Sequence, residues 1–224
     1  VAFEDLYPQQ GDADFNDYVV RVQNEEDLNS SGKIKRIRGT YEHIAKGAGY
    51  NHTLNLKLPE GVTGTYSLKR YNANGTIDIE TSGAITSSIE LLPDSNTTLS
   101  GWNSKATDTF VNGKKVAIEL IFDSPMDRTT LGNAPYDLYL KVISTNKEIH
   151  FAGLYKDSNG DEIYLDSNGF PWAIAIPGTW KHPYERTDIR TSYSLFRPWY
   201  ESRGNLHGNW YQTPNTQFVF PTPN

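Results

Sequence analysis

Cysteine is absent from the 224 residues and methionine occurs once. The chain therefore has no disulfides, no thiolate metal ligands and no cysteine nucleophile. No apolar run approaches the roughly 20 residues of a membrane-spanning helix, so membrane insertion is not expected. No leader-like stretch is read at the start. Because Val1 opens directly onto an apolar-acidic stretch, the chain is expected to be a mature or excised piece of a larger secreted protein. Basic runs are missing too. With 21 Lys+Arg against 27 Asp+Glu the net charge is −6, which argues against a nucleic-acid partner. No G-x-S-x-G, P-loop or dinucleotide fingerprint occurs. None of His43, His52, His150, His182 and His207 falls into the helical H-E-x-x-H spacing, so these read as surface or hydrogen-bonded histidines rather than a zinc site.

What the chain does have is concentrated near its start. Glu4, Asp5, Asp12, Asp14, Asn16 and Asp17 all fall between residues 4 and 17, and Asp12, Asp14 and Asn16 are spaced by two. Carboxylates this dense repel one another unless solvated, protonated or bridged by a cation. Hard oxygen donors without Cys or paired His favour Ca²⁺ over zinc or copper; the plain alternative is a solvated acidic turn. An EF-hand does not fit. Counted from Asp12, its glycine position holds Asp17 and its closing glutamate position holds Gln23. A calcium site here would have to be a loop-and-strand site in a β protein.

The rest of the chain reads as strands. Tyr18, Val20 and Val22 alternate with polar neighbours across 17–23, and 24–32 reads as a polar loop. Residues 33–44 read as a strand with one exposed face, broken by Gly47-Ala48-Gly49. Leu54, Leu56 and Leu58 give a clean period of two. Further strands are expected at 64–71, 76–80 and 84–92, with turns at Asn74-Gly75 and Pro93-Asp94. Residues 115–123 are almost continuously apolar, as in a strand buried on both faces. Leu138, Leu140 and Val142 alternate again, and 148–151 is a short strand. Asp157, Asn159 and Asp161 repeat the every-second-oxygen pattern, but Asn159-Gly160 between apolar flanks is explained as a hairpin turn without a second ion. A single helix is expected over 184–202, where Ile189, Tyr193, Phe196 and Tyr200 form one apolar stripe. Pro198 should kink it or start a separate short piece.

Aromatic residues make up 12% of the chain and crowd its last quarter. Periodic spacing assigns Trp172, Tyr193 and Phe196 to the core, while Trp180 reads as an exposed loop residue. Stacking of such rings on a sugar or peptide would make a recognition surface. The fold expected from these patterns is mainly β: an antiparallel β-sandwich or jelly-roll-like pair of sheets, with one C-terminal amphipathic helix packed on it. Residues 1–224 are expected to form a single domain, since no repeat or linker interrupts them.

Several stretches, taken in order, resemble the LruC-type domain of secreted and surface bacterial proteins. They are Phe3-Glu4-Asp5-Leu6-Tyr7-Pro8 with Gly11-Asp12-Ala13-Asp14-Phe15-Asn16-Asp17, then Gly47 to His52, Glu148-Ile149-His150, Pro171-Trp172-Ala173-Ile174, and a closing set from Pro183-Tyr184-Glu185 to Trp210-Tyr211. Departures are Phe151-Ala152-Gly153 for Leu-Pro-Gly, Ser192 for alanine, and Asn209 for an acid. The resemblance implies a β-rich module at a bacterial surface. Its opening element is similar to one in calcium-associated surface domains, which implies Ca²⁺ as the bound ion. Three functions are consistent with this reading. The first is a non-catalytic, calcium-binding extracellular module, monomeric, that binds a glycan or peptide or supports adhesion. The second is a purely structural calcium-stabilised module. The third is a glycosidase-like hydrolase using the acidic cluster, which would need two separated carboxylates across a cleft.

Overall fold

A computed structural model describes residues 1–223. In chain order the elements are β1 (Ala2–Phe3), β2 (Tyr18–Leu28), β3 (Ile34–Ala45), β4 (His52–Lys57), β5 (Gly64–Tyr71), β6 (Ile77–Ala84), β7 (Ser88–Leu92), α1 (Ser95–Thr98), β8 (Lys115–Met126), α2 (Arg128–Leu131), β9 (Asp137–Val142), β10 (Glu148–Ile149), β11 (Ala173–Ile174), α3 (Ile189–Ser192) and α4 (Phe196–Glu201), followed by a 3₁₀ turn at Trp210–Gln212. The strands form two antiparallel sheets, ordered β11-β1-β2-β3-β8-β5-β6 and β10-β9-β4-β7. The fold is mainly β, as expected from the period-two patterning, and the two sheets pack as a sandwich. No helix among the described residues is long and apolar enough to cross a membrane.

Alternation decides what fills the space between the sheets. Ile34, Ile37 and Tyr41 from β3 and Val116, Ile118, Leu120 and Phe122 from β8 meet Leu54 and Leu56 from β4 and Leu138, Leu140 and Val142 from β9. Residues 115–123 are not buried on both faces, contrary to the apolar run's suggestion. Burial alternates along β8, and Ile121 is 46% exposed. Residues 24–28 are strand rather than loop. Their charges are cross-strand partners, with Asp27 accepting from Arg36 and Arg38, so polarity there does not break pairing.

At one end the first sheet is covered on both faces. Phe3, Tyr18 and Val20 point into the inter-sheet core, whereas Ala2, Val19 and Ile174 point into a second core with Phe15, Phe170, Ile189, Tyr193, Phe196 and Trp210. The apolar stripe over 184–202 is therefore real, but the single helix is not. Asp188 caps the short α3 by accepting from Arg190 N (2.7 Å), the chain extends at Tyr193 (φ −139°), and α4 restarts at Phe196. Pro198 then sits in the first turn of α4, where its missing N–H has no partner to lose. Trp180 is a second correction: it is 8% exposed, with its ring 6.0 Å from that of Tyr193 and 6.4 Å from that of Trp210. The loop after β11 folds back over this second core instead of standing in solvent.

Candidate metal centre

The acidic residues occupy the connection between β1 and β2. Ala2 pairs with Val19 and Phe3 with Tyr18, so Glu4 and Asp17 follow at the mouth of the loop. Beyond them the chain winds tightly, with positive φ at Gly11 (+65°), Ala13 (+56°) and Phe15 (+52°). Two non-glycine residues in the left-handed region are a local cost. That conformation turns loop amides inward. Glu4 Oε1 accepts from Phe15 N, Asp14 Oδ1 accepts from Asn16 N at 3.1 Å, and Asp17 Oδ2 accepts from Asp5 N at 2.8 Å. Distant segments hold the loop down. Ile189 N donates to Ala13 O (2.8 Å), Arg186 N to Asp14 Oδ2 (2.7 Å), and Gly47 N to Asn16 O (2.7 Å).

The result is a buried anionic site. Glu4, Asp5, Asp14, Asn16 and Asp17 are all buried, whereas Asp12 is exposed at the rim. One oxygen each from Glu4, Asp12 and Asp14 lie within 4.8 Å of one another. Two Ca²⁺–oxygen bonds of about 2.4 Å placed end to end span a similar distance. Asp5 and Asp17 belong to the same neighbourhood but point elsewhere: Asp5 Oδ2 is 2.9 Å from His52 Nε2, and Asp17 bonds back to the Asp5 amide. Asn16 Nδ2 donates to Pro183 O at 3.2 Å, while its Oδ1 is buried without a hydrogen-bond partner.

Electrostatics favour neutralisation of the cluster. Burial, then the charges of Asp17 and Asp14, push the Glu4 carboxyl well above its ordinary range. Burial and then Asp12 push Asp14 up to about 8, and burial and then Asp5 raise Asp17. Among the described residues, no lysine or arginine forms an ion pair with Glu4, Asp5, Asp12, Asp14 or Asp17. Such a site either holds protons or suits a hard cation; the donor set contains only oxygen, as Ca²⁺ prefers.

Sequence spacing does not single out Glu185 as a site residue. Its carboxyl is raised by burial and then by Asp12, and its amide donates to Ser104 O at 2.8 Å. Nothing in local spacing could link it to a loop some 170 residues earlier; the Pro183-Tyr184-Glu185 motif was the only signal. Ser104 belongs to a loop fixed by Asn103, a fully buried residue. Its Nδ2 donates to Ile44 O (2.7 Å) and Val111 O (2.8 Å), and its Oδ1 accepts from Val111 N (2.9 Å). By contrast, Asp157, Asn159 and Asp161 form the expected turn. Asp157 Oδ1 accepts from Asn159 N and Asp161 N at 2.8 and 3.0 Å, with all three residues exposed. His43, His52, His150 and His182 are buried and each makes at least one hydrogen bond.

Comparison with solved structures places this chain near a crystal structure titled a "Putative lipoprotein" from Bacteroides ovatus. The TM-score is 0.74 at 17% identity, over 99% of this chain and 74% of that one. At that identity the likeness shows a shared fold. No curated protein matches the chain. A family model described as a domain of unknown function, DUF4842, matches residues 32–211. The loop at 4–17 precedes that segment, whereas Gly47 and Glu185 lie inside it. On a match of this extent, the chain belongs to the DUF4842 family.

Proposed function

We propose that the chain is a calcium-stabilised, non-catalytic module of LruC type from a bacterial surface or secreted protein, and that it carries a ligand-binding or adhesive face. The observation that carries the calcium reading is the convergence of Glu4, Asp12 and Asp14 oxygens within 4.8 Å, in a site that no lysine or arginine neutralises among the described residues. Asp5, Asp17 and Asn16 complete the proposed ligand shell, directly or through water. The surface location is supported by the fold shared with the Bacteroides ovatus chain titled a lipoprotein. A glycan or peptide is the proposed partner class. The groove best suited to it has a volume of about 420 Å³ and includes Phe151, Glu162, Trp199 and Arg203, which offer an aromatic face beside charged hydrogen-bonding groups.

In the proposed role the ion ties the β1–β2 loop to the folded sandwich, so binding free energy adds to folding free energy. At a free Ca²⁺ concentration 100 times Kd this amounts to about 2.7 kcal/mol. For a chain of this size, with unfolding entropy near 0.5 kcal/mol/K, the midpoint should rise by about 6 °C. The test is a thermal melt in EDTA, in millimolar Ca²⁺ and in millimolar Mg²⁺. A Ca²⁺-specific rise that Asp12→Ala abolishes is the expected result. Equal midpoints in all three solutions would refute the calcium reading. Glycan and peptide arrays probed with the Ca²⁺-loaded protein then separate the recognition role from the purely structural one.

A further inference from the structure

The proposed ion site faces more than its own loop. Asn16 Oδ1 is an acceptor with no donor, on a side chain that is fully buried. Its orientation is set by the partner amide, because Asn16 Nδ2 donates to Pro183 O. On the Oδ1 side lies Gly47. A β-carbon placed there would stand 1.5 Å from Asn16 Oδ1 and 2.7 Å from Glu185 Oε2. The two oxygens are therefore separated by no more than the sum of those distances, about 4.2 Å. Gly47 has an ordinary negative-φ backbone, so glycine is not needed here for conformation. It is needed for space, because any side chain would displace the carboxamide and the carboxylate.

Two such oxygens this close repel unless a proton on the carboxyl, a donor or a cation lies between them. Ca²⁺ at 2.3–2.6 Å from each oxygen fits a separation of this size. Burial and then Asp12 raise the Glu185 carboxyl, with a smaller contribution from Asp5, while Arg186 and Lys105 oppose the shift. Arg186 Nε is 3.9 Å from the other Glu185 oxygen, on a side chain that is largely solvent-exposed. We infer that Glu185 is a calcium ligand, paired with Asn16 Oδ1 across Gly47, so that the cation clasps the β1–β2 loop to the 183–187 segment. The inference rests on the calcium reading given above and adds to it a ligand from the far end of the chain. The 183–187 segment is already attached to the loop through Arg186 N and Asp14 Oδ2. A shared ion would make that attachment depend on Ca²⁺.

The test combines calorimetric titration of the full chain with Ca²⁺ and hydrogen exchange, on the wild type, Glu185→Gln and Gly47→Ala. Glu185→Gln keeps the side-chain shape at a half-buried position, so it should fold even if Gly47→Ala does not. The expected result is Ca²⁺ affinity at least about tenfold lower in Glu185→Gln, the low end of what loss of a coordinating or supporting group costs a metal site. Ca²⁺ should protect the amides of 183–187 in the wild type and lose that effect in Glu185→Gln, while residues 12–17 remain protected. Wild-type affinity in Glu185→Gln, with unchanged protection of 183–187, would overturn the inference and leave the N-terminal site standing. That result would point to a water, or to a protonated Glu185 donating to Asn16 Oδ1, between the two oxygens. Absence of Ca²⁺ binding by the wild type would instead remove the calcium reading itself, and the inference with it.

Discussion

Replacing Asn103 by alanine tests whether one buried carboxamide holds the loop beside the acidic site. The side chain makes three hydrogen bonds, to Ile44 O, Val111 O and Val111 N, and is fully buried. Alanine would leave two carbonyls and one amide without these partners, each at about 1 kcal/mol. Asn103 also holds φ at +53°, a conformation that asparagine tolerates and alanine adopts at a further cost of about 1 kcal/mol. The sum is about 4 kcal/mol, or a fall of about 8 °C in melting midpoint for a chain of this length. The assay is urea unfolding followed by tryptophan fluorescence, with Asn112→Ala, an exposed neighbour, as the control expected to change stability by less than about 0.5 kcal/mol. If Asn103→Ala lost less than about 1 kcal/mol, the three bonds would not be what fixes this loop. The seating of Glu185 against Ser104 O would then need another cause.

Two further perturbations follow from the same packing. His182 is buried with Nε2 2.6 Å from Asn103 O, and burial lowers its pKa to about 4. Its folded pKa lies below the unfolded value near 6.5, so its contribution is intact above that pH and is lost as pH falls toward 4. By pH 5 the loss reaches about 2 kcal/mol. Ca²⁺-saturated melts between pH 7.5 and 5 should therefore show a flatter pH dependence in His182→Gln than in the wild type, and parallel profiles would count against this assignment. Gly113→Ala would place a β-carbon 2.1 Å from His43 O, a backbone atom that cannot swing away, and should destabilise by more than about 2 kcal/mol. Gly49→Ala, with open space around it, should leave the midpoint within about 1 °C; similar midpoints for the two variants would contradict the packing described here.

The parts of the fold that could be read in the sequence are those whose cause is local. Leu54, Leu56 and Leu58 alternate because one face of their strand meets the other sheet, and no distant residue is needed to see it. The acidic loop is visible for the same reason: five acids and Asn16 share one short segment. The misreadings have non-local causes. Ile121 is apolar yet faces solvent, so β8 looked buried on both faces. Glu25, Glu26 and Asp27 looked like a loop because their compensating arginines sit on β3 and α2. β1 and β11 are two residues each, too short for any periodicity, and exist only through pairing with each other and with β2. Pro177-Gly178 announce a turn before Trp180, but not that the turn folds the indole onto Tyr193 and Trp210. Glu185 joins the site only because residues 183–187 pass beside Asn16 and Asp14.

The pairing of β1 with β11 joins two distant parts of the chain. β1 is made first, but its outer neighbour is Ala173–Ile174, and Glu4 N donates to Trp172 O (2.9 Å) while Trp172 Nε1 donates to Gln9 O (2.7 Å). Bringing residues 170 positions apart together costs about 4–5 kcal/mol of chain entropy, which burial of Phe3, Trp172 and Ala173 in the inter-sheet core and of Ala2 and Ile174 in the second core must offset. If that closure comes late in folding, the acidic loop stays open to solvent until Trp172, Arg186 and Ile189 close it. In the proposed role, calcium would act as a latch on a nearly complete molecule rather than as a seed for its folding. Chelation would then speed unfolding more than it slows refolding.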